Sequence, residues 1–205
     1  GYSSAASDVY KRQVEALPET TVASSFQLYQ ELGLRGEVNF PAFEQALKGF
    51  SRYASGQDRL LVLIDYTKPS TEKRFYILDL LQKKLLLSTY VAHGRGSGDN
   101  YAVAFSDRPG SYQSSLGFFR TGDTYMGKNG YSLFLDGLEK GINDKARERA
   151  IVVHGANYAD PAVLKGQQRL GRSLGCPALP PDISKQVIDT IKGGVLLYIY
   201  GLNKA

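Results

Sequence analysis

The chain has 205 residues, 42% of them hydrophobic and 22% charged, enough for one sizeable core or for one domain with a small helical appendage. No apolar run approaches the ~20 residues that cross a bilayer, so no transmembrane segment is expected in this chain. The net charge of +5 suits anionic surroundings. Its basic residues are scattered in short groups such as Lys11-Arg12, Lys73-Arg74 and Lys83-Lys84, which favours an ordinary solvated surface over a nucleic-acid face.

Gly1 to Ser7 is small and polar and reads as a flexible lead-in, with no secretory signal in it. From Ser7 to Gly56 the pattern is helical. Val22, Phe26, Tyr29 and Leu32 recur at helix spacing, and Gly33 is placed to end that helix. A second helix is predicted from Asn39 as its cap, with Pro41 in the tolerant first turn. Phe43, Leu47, Phe50 and Tyr53 share one face of it before Gly56 stops it. Residues 1–57 are therefore read as a helical packing appendage, and 58–205 as the domain that carries chemistry.

Beyond Arg59 the signal changes to strands. Leu60 to Ile64 is a continuous apolar run, as in a strand buried on both faces. After a turn at Lys68-Pro69-Ser70, strands are predicted at Phe75–Leu78, Leu85–Ala92, Tyr101–Phe105, Leu116–Arg120, Tyr131–Leu135, Ala150–Val153 and Val195–Tyr200. One late helix starts at Asp182 as its cap, carries the stripe Ile183, Val187 and Ile191, and ends at Gly193. Short strands with frequent Gly, Pro and Asn breaks predict a mainly β fold, a sandwich or barrel.

Three motifs point elsewhere and fail on their surroundings. Gly171-Arg172-Ser173-Leu174-Gly175 fits a serine-esterase elbow, but both histidines, His93 and His154, precede Ser173, the reverse of that fold's order. Gly122 to Lys128 matches a phosphate loop up to its Lys, yet Asn129 stands where Ser or Thr would hold magnesium, so no nucleotide is expected. Two distant histidines and one cysteine form no metal-ligand spacing, and no metal or other cofactor is expected. Acidic residues are plentiful, but nothing nominates a pair for two-carboxylate hydrolysis.

What remains is Cys176, the only cysteine, and His154. His154 ends the apolar run Ile151-Val152-Val153, so a buried strand would deliver its imidazole to the sheet edge, where Gly155 lets the chain turn. Cys176 lies in a Gly- and Pro-rich stretch, Arg172 to Pro181, the kind of rigid loop that exposes a nucleophile. An imidazole within hydrogen-bond reach would take the thiol proton. The amides of Leu174, Gly175 and Cys176 are candidates to face an oxyanion. A rim histidine and a tight Gly-Cys turn would give the same pattern without chemistry.

His154-Gly155 followed by Ser173-Leu174-Gly175-Cys176 resembles the signature of the L,D-transpeptidase catalytic domain family: histidine-glycine, a variable stretch, then serine-histidine-glycine-cysteine. The likeness is strongest over Ile151 to Gly201 and extends back to Arg59. Leu174 stands where the common pattern has His, and Ala178 where it has Arg, as in a divergent branch whose loop reads Ser-Leu-Gly-Cys-Pro-Ala.

The resemblance implies a peptidoglycan L,D-transpeptidase with Cys176 as nucleophile, His154 as base and the Gly155 carbonyl orienting the imidazole. Ser173, Leu174 and Gly175 would form the oxyanion loop. His93 and Arg95 in His93-Gly94-Arg95-Gly96 are candidate substrate contacts, and Arg172, Arg95 or Arg120 would replace the missing Arg. It also implies a thioester on the third residue of a stem tetrapeptide, no cofactor, peptidoglycan stem peptides as partners, and export to the periplasm or cell envelope. A carboxypeptidase using the same thioester and a non-catalytic wall-binding module remain alternatives.

Overall fold

A computed structural model describes residues 22–55 and 58–204. Helix α1, Val22–Glu31, buries Leu28 and Tyr29, and Leu32 just beyond it, while Val22 and Phe26 stay exposed. The predicted stripe is thus rotated toward its C-terminal half, where Tyr29 donates to the Val38 carbonyl at 2.6 Å. Gly33 ends the helix at φ +68°, a conformation open to glycine at little cost. Helix α2, Phe40–Tyr53, follows Asn39 as expected, with Pro41 in its first turn. The Asn39 side chain does not cap; it donates to Asp65 at 2.9 Å and ties the helix to the sheet. Gly56, the predicted stop, lies outside the described residues, and α2 ends at Tyr53.

Eight strands follow: β1 Leu60–Asp65, β2 Phe75–Asp79, β3 Lys84–Thr89, β4 Gly117–Gly127, β5 Gly130–Gly137, β6 Val152–Gly155, β7 Ala178–Leu179 and β8 Leu196–Tyr200. They form one sheet in the order β3-β2-β1-β8-β4-β5-β6-β7. Ala92, just past β3, bridges Ala178 of β7, so the two edges meet and the sheet nearly closes. Helix α3, Pro181–Ile191, packs against β6 from β7's far end. The fold is mainly β, with helices at the start and one late helix.

The alternation of strand side chains explains the apolar run in β1. Val62 and Ile64 face the inside of the sheet with Phe75, Phe119, Leu133, Val153 and α3's Val187 and Ile191. Leu61 and Leu63 face the other way and pack under α2's Phe43, Leu47 and Phe50. Both faces of β1 are therefore dry.

Four sequence expectations are corrected. Tyr101–Phe105 is not a strand: the Val103 and Ala104 amides both go to the Ser97 carbonyl, and Phe105's goes to the Asn203 side chain, so no ladder forms. The Leu85–Ala92 strand stops at Thr89. Ala150 has φ +54°, which breaks the extended path and delays β6 to Val152. Asp182 is not the cap of α3; Pro180 is, and the Asp182 carboxylate sits in the first turn, where the helix dipole favours it. Gly122 to Gly127, the stretch whose phosphate-loop reading the sequence rejects, runs extended in β4.

Candidate active site

β6 lies between β5, paired antiparallel with Ser132 opposite His154, and β7, paired parallel with Ala178 opposite His154. Strand alternation sends Ile151 and Val153 into the core and leaves Val152 and His154 facing a cavity of about 310 Å³. Cys176, two residues before Ala178, lines the same cavity with Lys128, Arg149, Tyr158 and Arg172. A larger recess of about 640 Å³ opens between α2 and the β4–β8 pair, but neither imidazole nor thiol lines it.

The His154 Nδ1 sits 2.9 Å from the Gly155 carbonyl. That contact places the proton on Nδ1 and leaves Nε2 as an acceptor. Burial holds the His154 pKa below its ordinary value, against the opposing pull of the Gly155 carbonyl. Gly155 has a packing reason to be glycine: a Cβ there would lie 2.4 Å from the Ser184 hydroxyl of α3.

The sulfur is enclosed, with Cys176 9% exposed. Its thiol donates to the Ala150 carbonyl at 3.4 Å and accepts from the Val152 amide at 3.5 Å. No hydrogen bond joins it to His154 among the described residues, which corrects the expectation of a resting thiol–imidazole contact. The thiol finds a closer acceptor at Ala150, whose φ of +54° turns the chain there. Burial pushes the thiol pKa up, while the Val152 amide, Arg149 and Lys128 pull it down.

The cysteine loop is held from both ends. Ser173 donates its hydroxyl to the Cys176 carbonyl at 2.6 Å and accepts the Gly175 amide at 3.1 Å. Gly175 is therefore not free to bind an oxyanion; the amides of Leu174 and Cys176 have no acceptor among the described residues. The Arg95 amide donates to the Ser173 carbonyl at 2.8 Å, and the Ser173 amide to the His93 carbonyl at 3.0 Å. Leu174 is half-exposed at the cavity rim.

The other sequence candidates separate. Arg172 lines the cavity and pairs with Asp99 at 3.0 Å. Arg95 stacks over Tyr112 at 4.3 Å and lies outside the cavity lining. Arg120 is tied to Asp58 and the Tyr53 carbonyl, far round the sheet. His93 is corrected as a substrate contact: it is buried behind the cysteine loop, accepting at Nδ1 from the fully buried Arg74 at 2.8 Å. Arg74 also donates to the Val91 and Lys68 carbonyls, so His93 must carry its proton on Nε2, toward the Gly98 carbonyl.

That buried imidazole makes stability pH-dependent. Burial, then Arg74, press its pKa from 6.5 to about 3. The unfolded chain takes up the proton first as pH falls, so stability is whole above pH 6.5 and drains away toward pH 3, by on the order of 4 kcal/mol. Urea midpoints measured between pH 7 and pH 4 should fall steeply in the wild type and less steeply in His93→Gln. Equal slopes would contradict this account.

Sequence reasoning missed Arg149, Lys128 and Tyr158 as cavity walls. Arg149 spans four acceptors, donating to the Ser106 and Gln113 carbonyls and to the Ser115 and Ser111 hydroxyls at 2.9 to 3.2 Å. Those partners come from a distant loop, so no local pattern announces them. No group of three or more His, Cys, Asp or Glu able to hold a metal occurs among the described residues. No described helix is long and apolar enough to cross a membrane.

Comparison with known proteins gives the family. No curated protein matches the chain. Among solved structures, an L,D-transpeptidase from Stackebrandtia nassauensis is 13% identical with a TM-score of 0.43, covering 95% of this chain and 90% of that one. An L,D-transpeptidase from Mycobacterium smegmatis is 13% identical, TM-score 0.42, over 70% of this chain and 59% of that one. The helical cell shape determining protein of Campylobacter jejuni is 15% identical, TM-score 0.48, over 72% and 50%. The chain thus spans only about half to three fifths of the latter two. The profile of the L,D-transpeptidase catalytic domain matches residues 34–200, and the chain belongs to that family.

Proposed function

We propose that this chain is a cysteine-dependent peptidoglycan L,D-transpeptidase whose catalytic unit is 58–205, with residues 1–57 as a helical appendage. The observation that carries this is the placement of the only thiol and the His154 imidazole in one cavity lining, the imidazole on β6 and the thiol in the loop that leads into the neighbouring β7. With the thiol raised and the imidazole lowered by burial, the resting pair is neutral. Deprotonation therefore accompanies attack. Substrate entry turns the thiol from the Ala150 carbonyl toward His154 Nε2, a tightening common between free and occupied sites.

The sulfur then bonds to the carbonyl carbon of the third stem residue as its proton passes to His154. The Leu174 and Cys176 amides receive the oxyanion. Collapse breaks the bond to the terminal D-alanine, whose amine leaves with the proton from His154, and a Cys176 thioester remains. The side-chain amine of a second stem attacks that thioester, giving its proton to His154; the C–S bond breaks, and the released sulfur takes that proton back from His154. Such a substrate lies outside the cytoplasm, so the cell envelope is the proposed location.

Incubation with a tetrapeptide stem tests this. A transpeptidase releases D-alanine and yields cross-linked dimers. Free D-alanine with tripeptide alone would make the chain a carboxypeptidase, and no product would make it a wall-binding module.

A further inference from the structure

The cavity's charge has one sign. Lys128, Arg149 and Arg172 line it, and no Asp or Glu does. Tyr125 of β4 also lines it, and burial keeps the His154, Tyr158 and Cys176 groups on its walls neutral in the resting state.

The three cations are not equivalent. Arg149 spends four hydrogen bonds on the 106–115 loop and makes no ion pair among the described residues, so its charge is fixed in place, with Asp107 of that loop acting on it only at longer range. It lies against the cysteine loop: a Cβ on Gly175 would sit 3.4 Å from its Nη2. Arg172 is engaged by Asp99 and by the Gly98 carbonyl. Lys128 makes no hydrogen bond or ion pair among the described residues. With Asn129 it forms the two-residue tip of the β4–β5 hairpin, whose closing pair is Gly127 and Gly130.

A lysine on a short hairpin is a compact point charge on a flexible stem, suited to a ligand that brings its own anion. We propose that Lys128 is the specificity-determining contact of this cavity, its ammonium taking a free carboxylate beside the bond that is cut, with Arg149 supplying a fixed field behind it. The ligand class is then a peptide with an ionised carboxylate next to its scissile carbonyl. The choice of a peptide rests on the thioester reading above; the preference for an anion rests on the cavity alone. Lys128 and Arg149 are also the two cations that oppose burial at the thiol.

Two reagents of similar size, iodoacetate and iodoacetamide, differ in charge and read the field at Cys176. Their relative rates with the folded protein at low salt should shift about fivefold against iodoacetate in Lys128→Met, and stay near wild type in Lys128→Arg. A second arm needs no reactive thiol. Cys176→Ala protein should bind a stem tetrapeptide more tightly than its C-terminal amide, and adding Lys128→Met should erase that preference. An iodoacetate-to-iodoacetamide rate ratio that Lys128→Met leaves unchanged, or a tetrapeptide-over-amide preference that survives it, overturns the proposal. If Cys176 in folded protein reacts with neither reagent, the thioester reading fails, and the binding arm alone decides the carboxylate reading.

Discussion

His154→Gln should slow D-alanine release from a tetrapeptide by about 10²- to 10⁴-fold, the range general-base catalysis contributes, while the protein stays folded. The fold survives because β6 is held by both neighbours' backbones rather than by the imidazole. Glutamine can still donate to the Gly155 carbonyl, but it offers no basic nitrogen to the thiol. The loss should fall on kcat more than on KM, since the proton moves only in the transition state. The pH profile carries the same information. His154 is pressed below its ordinary value, so the wild-type rate should hold down to pH values below ~6.5 before an acid limb appears. The Cys176 thiol is raised and loses its proton only during attack, so the rate should stay level through the pH at which free cysteine ionises. His154→Gln should lose the acid limb. A variant with wild-type kcat, or one that keeps that limb, would remove His154 from the chemistry.

Gly94→Ala should disable the site through packing alone. At Gly94 three backbones touch: a Cβ would sit 2.4 Å from the Tyr112 carbonyl oxygen and 2.9 Å from the Gly175 Cα. Neither neighbour is the yielding end of a side chain. The added methyl must push the 111–113 loop or the cysteine loop away, at a cost of about 1–3 kcal/mol. Gly175 at φ +128° has little freedom to absorb the shift, and Cys176 follows it. A displacement near 1 Å at a nucleophile costs about 10²-fold in rate. Gly166→Ala is the matched control: its Cβ would meet nothing within 4 Å and its φ is −115°. Thermal melts and D-alanine release should therefore separate the two variants. Equal behaviour would mean the cysteine loop is not set by this contact.

Much of the fold was legible because its signals are local. Leu60–Ile64 announces a strand dry on both faces, and Ile151 to His154 announces a strand that ends in a side chain at the rim. The late helix shows its stripe of Val187 and Ile191. Tyr101–Phe105 misled because an apolar alternation says nothing about whether a partner strand is present; the amides there turn back to Ser97 instead. Asp182 misled because Pro180 caps the helix two residues earlier than the carboxylate suggests.

The site was legible in its chemistry and not in its walls. His154 and Cys176 are named by their residue types and neighbours. Arg149 is visible only once the 106–115 loop folds across it, and Lys128 only once the β4–β5 hairpin reaches the cavity. His93 looked like a site residue by sequence, yet its partner Arg74, in an entirely different strand turn, draws it into the wall.

The central claim is that Cys176 carries the acyl group. The most direct measurement is the intact mass of the protein quenched shortly after mixing with a tetrapeptide stem, followed by mapping of the modified residue. The account predicts a single tripeptidyl adduct on Cys176, absent from Cys176→Ala, with one D-alanine released per adduct in the first turnover. An adduct on another residue, or D-alanine release undiminished in Cys176→Ala, would contradict it.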